Sequence, residues 1–562
     1  MKPAEGTSSL KTLEIIFAAI FMVQAFLQFA GMVERVFQSS DTAWLIKTGL
    51  LLWQAGPCNL FAALHQGDTF SFTAGGQPVL IYQWLFTLAL AAATKVAALA
   101  GQNGACVDIA STNLAAAGYL TYIATALLLL FLLPYMMLKR GVKPVYTFGL
   151  LTLINMPIWY WARPQLVSFF MLPMFILLLE DFRRNGYRKR LWLPPFLLIV
   201  WVNSHAFWFM GLALILAYLA PQVVSPKSVD YKHRRHLVGI LATSCLAPLA
   251  NPYGADLVRH TLSFGSEPDF GQISELQPTL LTNPLGHRGI WLYLVIAWSV
   301  LLARRAVIPL TGLFFCALST FTGVVCYRFA AVAVLITWSY LSIALGRGQQ
   351  GSAGSASETE GSVSGTDGSV SGTDGSTSKT DGSEIKAKES AIKAKESAIK
   401  TVSPVSTALA LIAPIFATAV YFNYCQSQKQ IWFTHNDSNQ KVTAFLKQNS
   451  RLRSRLFCDA ALGCSLILED LTPVFIDTRF DLYGKTFCRE YQDCLNGSVT
   501  DTFNWRSYLD KWQINTLAIK NSAPLNNELN HAARQGSCKK LYDDGIYSVW
   551  EIERGAKAGA SQ

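Results

Sequence analysis

Charge is the scarcest resource in this chain. Asp, Glu, Lys and Arg make up only 15% of its 562 residues, against roughly a quarter in soluble globular proteins. So few charges cannot cover the surface of a water-soluble molecule of this length, which excludes a soluble enzyme. No Cys-x-x-Cys pair occurs and only His435 and His531 lie near the C-terminal cysteines, so a structural zinc site lacks its usual ligand spacing. No Asp-x-Asp element follows the first apolar run, and nothing in the sequence supports a metal or another cofactor. That run also lacks a small-residue cleavage site, so it reads as a retained span and not a signal peptide.

What the chain has instead is long apolar runs, near 12–31, 79–101, 113–138, 144–161, 164–180, 191–220, 237–250, 289–303, 307–324, 329–345 and 404–422. Apolar stretches of about 18 residues or more predict membrane helices, because lipid cannot satisfy a bare backbone. The expected fold class is mostly α, with about ten or eleven membrane segments and a small C-terminal α/β domain.

The net charge of +11 does not point to nucleic acid, which needs one continuous basic face. The cations sit in short loops: Lys139, Arg140 and Lys143; Arg183, Arg184, Arg188, Lys189 and Arg190; Lys232, Arg234 and Arg235; Arg304 and Arg305. Cytoplasmic loops carry this bias. The segments between them then form hairpins whose tips reach the opposite face. Those tips contain Arg163 and Gln165, Asn203 and His205, Asn251-Pro252-Tyr253-Gly254, and Tyr327-Arg328. Polar groups at membrane depth are costly and mark function or a partner; four tips on one side make the wall of a site. Individually each has a plainer reading, as a snorkelling Arg163, a packed His205, a turn at Asn251 and an interfacial Arg328.

The external loop 32–78 and a soluble domain at 425–562 should share that side. Between them lies a Gly/Ser/Thr/Asp-rich stretch, 346–403, with Gly-Ser-Val-Ser-Gly-Thr-Asp repeated at 361–367 and 368–374. It is expected to be a disordered linker, followed by a last membrane helix at 404–424. One crossing does not fit. If 79–101 runs inward and 113–138 outward, the basic loop at 139–143 falls on the external face. Either an early segment is not a simple crossing, or the charge rule fails there.

In the C-terminal domain 455–458, 474–477 and 516–519 read as short strands, 439–449 and 525–535 as helices, and Asp544-Gly545 as a hairpin turn. Cys458 and Cys464 have the same spacing as Cys488 and Cys494. In an oxidising compartment this predicts at least one disulfide among the four, with free thiols as the alternative.

Asp41 and Trp44 open an apolar stretch in the first loop that also carries Gly49 and Trp53. Asp68 follows in Asp68-Thr69-Phe70-Ser71-Phe72-Thr73, and Gln83 precedes Trp84-Leu85. A carboxylate at a membrane surface can act as a general base, since partial desolvation raises its pKa. Asp41 could equally cap the helix that follows it, and the tryptophans could be belt residues.

Asp-x-x-Trp-x-x-x-x-Gly at 41–49, the Asp68 motif, Gln77-Pro78 before Trp84-Leu85, Arg163-Pro164-Gln165, Asn203-x-His205 and Asn251-Pro252-Tyr253-Gly254 fall in one order. This order resembles a group of bacterial multispan proteins classed with the C-type glycosyltransferase (GT-C) fold, whose superfamily includes protein O-mannosyltransferases and lipid A aminoarabinose transferases. The resemblance spans about 12–345, and 475–483 also looks like a pattern of the C-terminal domain. It implies a multi-pass protein of the bacterial cytoplasmic membrane. Such a protein takes sugar from a polyprenyl-phosphate carrier and gives it to a glycan, lipid or protein acceptor outside. Asp41 matches the acidic residue near the reacting hydroxyl. Arg163, His205 and Arg328 become candidates for holding the donor phosphate, and Asp68 for metal or acceptor contact. Trp44, Gln165, Asn203 and Asn251 complete the expected substrate-binding wall. Gln83 stands where the pattern carries a carboxylate, which leaves room for a non-catalytic assembly component with a degenerate site. A transporter of lipid-linked glycan is the third reading, but no inverted repeat is visible.

Overall fold

The computed structural model describes residues 6–30, 40–100, 109–224, 231–263, 278, 288–346 and 437–552. The chain divides into two units, Met1–Leu345 with Gln428–Gln562, and Gly346–Ser427. The expected linker and the last membrane helix belong to the second unit and lie outside the described residues, as do the ends of the first loop at 31–39.

Helix dominates the first unit. Four helices, Thr12–Phe29, Ala116–Leu138, Gln165–Asn185 and Tyr327–Leu345, are long and apolar enough to cross a membrane. Five shorter apolar ones are Trp84–Val96, Pro144–Leu153, Trp208–Val224, Arg288–Ala303 and Leu310–Val325. The elements fall short of the expected runs because prolines and polar tips interrupt them. The 191–220 run splits into Leu193–Val202, opened by Pro194, and Trp208–Val224. The 144–161 run stops at Leu153 and resumes as a 3-10 turn, Pro157–Tyr160. Proline fits a first helical turn but not an interior.

In chain order the elements used below are α1 (Gly6–Ala30), α2 (Asp41–Leu64), α3 (Trp84–Ala100), α4 (Ile109–Ala126), α5 (Leu133–Leu138), α6 (Pro144–Leu153), α7 (Gln165–Asn185), α8 (Leu193–Val202), α9 (Trp208–Val224), α10 (Tyr231–Leu246), α11 (Ala255–Ser263), α12 (Arg288–Ala303), α13 (Leu310–Val325) and α14 (Ala330–Leu345).

The bundle has two unlike ends. At one, Lys143 pairs with Glu14, and the Tyr187 ring lies 5.1 Å from His233 and 4.9 Å from His236. Arg234 donates to the Val223 carbonyl there. This is the basic end. At the other, Arg163 meets Asp41, Trp84 Nε1 donates to Asn203 Oδ1 at 2.7 Å, and Asn203 Nδ2 donates to the Ala250 carbonyl at 2.8 Å. Tyr253 joins them, its hydroxyl donating to the Leu64 carbonyl at 3.0 Å and accepting from the Ile81 amide at 2.9 Å. The polar tips and the basic loops therefore sort to opposite ends.

Both ends of α2 sit at the polar end, Asp41 on Arg163 and Leu64 on Tyr253, so α2 lies along that end and does not run through the bundle. A break at Gly56, whose φ of 70° lies where only glycine is comfortable, precedes Pro57 and lets the helix bend. Phe29 at the polar end of α1 packs on Tyr122 of α4, with ring centroids 4.3 Å apart. From there α4, a π-helical segment Leu127–Leu132 and α5 lead to 139–143 at the basic end. Trp84 at the start of α3 and Tyr122 of α4 both lie at the polar end.

The C-terminal domain contains α15 (Asp437–Gln448), β1 (Leu456–Cys458), α16 (Ala460–Leu468), α17 (Phe480–Leu495), α18 (Trp505–Lys511), β2 (Thr516–Lys520), α19 (Leu525–Arg534), β3 (Cys538–Asp543) and β4 (Tyr547–Ile552). The sheet order is β1-β2-β4-β3, with β1 parallel to β2 and the other pairs antiparallel. Residues 474–477 form no strand in this sheet. Val474 instead bridges Ser71 of the first loop, its amide donating to the Phe70 carbonyl at 2.8 Å and its carbonyl accepting from the Phe72 amide at 3.0 Å. The first loop is built into this domain, and Phe70 is part of its core.

The disulfide expectation is corrected: Cys458, Cys464, Cys488 and Cys494 are all unbridged. Cys488 and Cys494 stand six residues apart on the single helix α17, which separates them by about 9 Å along its axis, beyond disulfide reach. Cys458, Cys464 and Cys494 are buried and pack as small apolar groups. Burial pushes the Cys458 thiol well above its usual range.

A charged clasp fastens the loop. Asp68 is 4% exposed, and its carboxylate accepts from the Ser71 amide at 2.9 Å, the Ser71 hydroxyl at 2.6 Å and Arg479 Nη2 at 2.8 Å. Arg479 also donates twice to Asp477, at 2.9 and 2.6 Å, and Tyr483 donates to the same carboxylate at 2.9 Å. Burial alone would lower the Arg479 pKa, but Asp477 and Asp68 outweigh it and hold it above the usual value. Two glycines permit the adjoining close contacts. A Cβ at Gly49 would sit 2.0 Å from the Thr87 carbonyl oxygen of α3, and one at Gly463 would sit 1.9 Å from the Ile476 carbonyl oxygen. The Gly of the 41–49 motif is thus a helix-packing residue. Removing one partner of a buried ion network leaves uncompensated charge, at a cost of about 3–5 kcal/mol. Arg479→Leu should therefore lower the melting temperature of the full chain in detergent and open 65–83 to limited proteolysis. A melt and digest like wild type would show that the clasp contributes nothing.

Candidate functional site

Asp41 is the first residue of α2. Ser40 holds the cap position without a side-chain bond to the helix, and the Asp41 carboxylate turns elsewhere: Oδ2 lies 3.1 Å from Arg163 Nε. The Asp41 side chain is 23% exposed and that of Arg163 12%. The guanidinium also lies 4.8 Å from the Trp161 ring, a cation–π contact that fixes its plane. Thr42 Oγ1 donates to the Ala162 carbonyl at 3.3 Å, so α2 and the Arg163 tip are joined at adjacent residues.

Tyr82 shows what else shares this space. Burial and then the charge of Asp481 push its hydroxyl up to about 12, Arg328 opposes them, and Asp41 adds a smaller upward push. The charges of Asp481, Arg328 and Asp41 are therefore all felt at one phenol. The Tyr82 ring lies 6.2 Å from His260 of α11. Arg328 has its Nε buried without a hydrogen-bond partner. Asp481, at the start of α17, is exposed; its pKa is raised, first by desolvation, with the charge of His260 pulling the other way. The C-terminal domain thus supplies an acid to the site. Asp481, Tyr82 and His260 were not among the expected site residues, although Asp481 lay inside the 475–483 pattern.

His205 lies in the turn between α8 and α9, outside both helices. It is 4% exposed, and its Nδ1 is 2.7 Å from Ser168 Oγ, which also accepts from Trp201 Nε1 at 2.7 Å. Burial, then the nearby Arg328, holds its pKa well below the usual histidine value. A neutral imidazole can donate one N–H but brings no positive charge to a phosphate.

The remaining expected residues divide. Asn203 spends its amide on the Ile199 and Ala250 carbonyls and its oxygen on Trp84. Asn251 spends its own on Pro248, Gly254 and the Tyr253 amide. Both shape the tips and leave no polar atom for substrate. Asp68 is engaged in the clasp with Ser71 and Arg479. Trp44 Nε1, Gln83 Oε1 and Gln165 Nε2 are buried without hydrogen-bond partners, which is uncommon in folded proteins and calls for an explanation at each position. Among the described residues no group of three His, Cys, Asp or Glu is placed to hold a metal ion.

The raised Asp481 carboxyl has a measurable sign. A group whose folded pKa exceeds its unfolded value adds stability below the unfolded pKa and loses it as pH rises through the folded one. Asp481→Asn should therefore raise the melting temperature relative to wild type near pH 8, and the gain should vanish near pH 4. A gain independent of pH would remove the carboxyl's charge as its cause.

No family model matches the sequence, and no curated protein does. Solved structures do match in fold. The apo oligosaccharyltransferase of Archaeoglobus fulgidus aligns with a TM-score of 0.50 at 12% identity, over 89% of this chain and 69% of that one. The same organism's oligosaccharyltransferase AglB, in complex with an inhibitory peptide and a dolichol-phosphate, aligns with a TM-score of 0.49 at 12% identity, over 90% and 69%. The architecture is GT-C-like.

Proposed function

We propose that this chain is a membrane glycosyltransferase that moves sugar from a polyprenyl-phosphate carrier to a hydroxyl acceptor outside the membrane. The observation that carries the reading is the meeting of Asp41 and Arg163 at the polar end of the bundle, with Arg328 in the same neighbourhood. The fold likeness to an archaeal oligosaccharyltransferase supports it. The basic loops gather at the other end, which the positive-inside rule assigns to the cytoplasm; the polar end, α2 and the C-terminal domain then face outward. A glycan, a lipid or a protein could each present the hydroxyl.

In this mechanism the donor phosphate draws Arg163 and Arg328 into charge-assisted hydrogen bonds, and Asp41 is released from its ion pair. Asp41 takes the acceptor hydroxyl proton as that oxygen attacks the anomeric carbon. The bond from that carbon to the phosphate oxygen breaks, and polyprenyl phosphate leaves with the electron pair. Gln83, with its buried Oε1 unpartnered, can accept from the acceptor where the family pattern carries a carboxylate.

Asp41→Asn preserves size but removes the base. General-base catalysis contributes about 10²–10⁴-fold, so transfer from a polyprenyl-phosphate sugar should fall at least about a hundredfold while the melting temperature stays near wild type. Full transfer by Asp41→Asn would take Asp41 out of the mechanism. The membrane orientation has its own check: reporters inserted at Gly365 and after Gly545 should label from opposite sides, and labelling from one side would overturn the arrangement.

A further inference from the structure

A cavity of about 500 Å³ opens at the basic end, away from Asp41. It is walled by the C-terminal turn of α7, by α9, and by the first residues of α10 and α13. Its lining residues include Arg183, Gln222, His233 and Thr311 and, among the described residues, no Asp or Glu. The nearest acid, Glu180, is buried beneath it and already engaged. It accepts from Tyr218 at 2.5 Å and from Arg183 Nε and Nη2 at 3.0 and 2.9 Å, and lies 3.7 Å from Arg184. Glu180 therefore orients Arg183 while adding no acceptor to the wall. His233 is braced against Tyr187. The end of α7, the turn after it and the start of α10 carry Arg184, Arg188, Lys189, Arg190, Arg234 and Arg235 against Asp181, which pairs with Arg190, and the cationic excess raises the local positive potential. Pro309 gives α13 no side-chain cap, so the first amides of that helix also lack intrahelical partners. Ala217 and Leu310, the latter 82% exposed, make the mouth apolar on one side.

We infer that this cavity binds a phosphate-bearing ligand, drawn from an anionic lipid headgroup or from a soluble phosphate compound. No carboxylate lines the wall itself, and Glu180 engages only the Nε and Nη2 of Arg183, so the wall favours a compact anion, while the half-apolar mouth accommodates a chain attached to it. The assignment does not depend on the transfer reaction, because the cavity and the Asp41 site lie at opposite ends of the bundle.

The probes are phosphatidylglycerol, phosphatidylcholine and inorganic phosphate, added to the purified full chain in an uncharged detergent, with retained lipid counted by native mass spectrometry. Wild type should hold phosphatidylglycerol in preference to phosphatidylcholine, or bind inorganic phosphate with a rise in melting temperature. Ala217→Phe fills the cavity and leaves every cation in place, so it should weaken binding by about tenfold or more, roughly the loss of one good contact. Thr311→Ile, at the mouth, is the second variant should Ala217→Phe not fold. Displacement of phosphatidylglycerol by inorganic phosphate would identify a soluble phosphate as sufficient, and retention in its presence would identify the lipid. Equal retention of both lipids without any phosphate binding, or binding unchanged in a folded variant, would overturn the inference.

Discussion

Arg479 carries its charge where two carboxylates, Asp68 and Asp477, have almost no access to water. Each of the three would be costly to bury alone, and together they are tolerable only at hydrogen-bonding distance. That requirement couples parts of the chain four hundred positions apart. Asp68 brings the first loop, Asp477 and Arg479 bring the turn before α17, and the Phe70 and Trp44 rings face the guanidinium at 5.1 and 5.8 Å. Once the clasp is closed, α16 is seated on α2 through Cys464 and Leu468, Lys47 of α2 reaches Asp470, and the charge of Asp481 reaches Tyr82. The position of Asp41 is thus set from both sides, by Arg163 of the bundle and by a domain outside it.

The separation of polar tips from basic loops follows from membrane physics. A hairpin tip inside the apolar layer must satisfy its own backbone and side chains. Asn203, Asn251 and Tyr253 do this with bonds to neighbouring carbonyls and amides, and so knit the tips into one floor. The residues left over at that end, Asp41, Arg163 and Arg328, stand on this floor with chemistry to spare. Rigid support beneath and a few charged groups above is what positioning a reactive group demands.

Much of this was legible along the chain. Hydrophobic runs, the loop cations and the four polar tips describe the bundle and its two ends before any coordinates. Other features were not, for identifiable reasons. Asparagines in tips look the same whether they bind substrate or a carbonyl, and only the partner atoms tell them apart. The clasp partner of Asp68, Arg479, is remote in sequence. Equal cysteine spacings suggested bridges, but one pair proved to lie on a single helix. Asp481 sat within a recognised pattern, yet nothing in its neighbours announces that α17 starts at the mouth of a site in another domain.

Charge accounting links the resting site to the proposed transfer. At rest Arg163 and Arg328 stand against the Asp41 carboxylate, with Asp481 adding a second acid whose charge also reaches Tyr82. As transfer proceeds the phosphate becomes a monoester and approaches two negative charges, while Asp41 takes a proton and its own charge disappears. Arg163 and Arg328 would then face the leaving group with one carboxylate fewer to offset them. Interactions that strengthen only as charge develops accelerate the step, whereas those equally good for bound donor do not. In the proposed mechanism the Asp41–Arg163 pair would restrain Arg163 in the resting state, and proton transfer to Asp41 would tie the activation of the acceptor to the stabilisation of the departing phosphate.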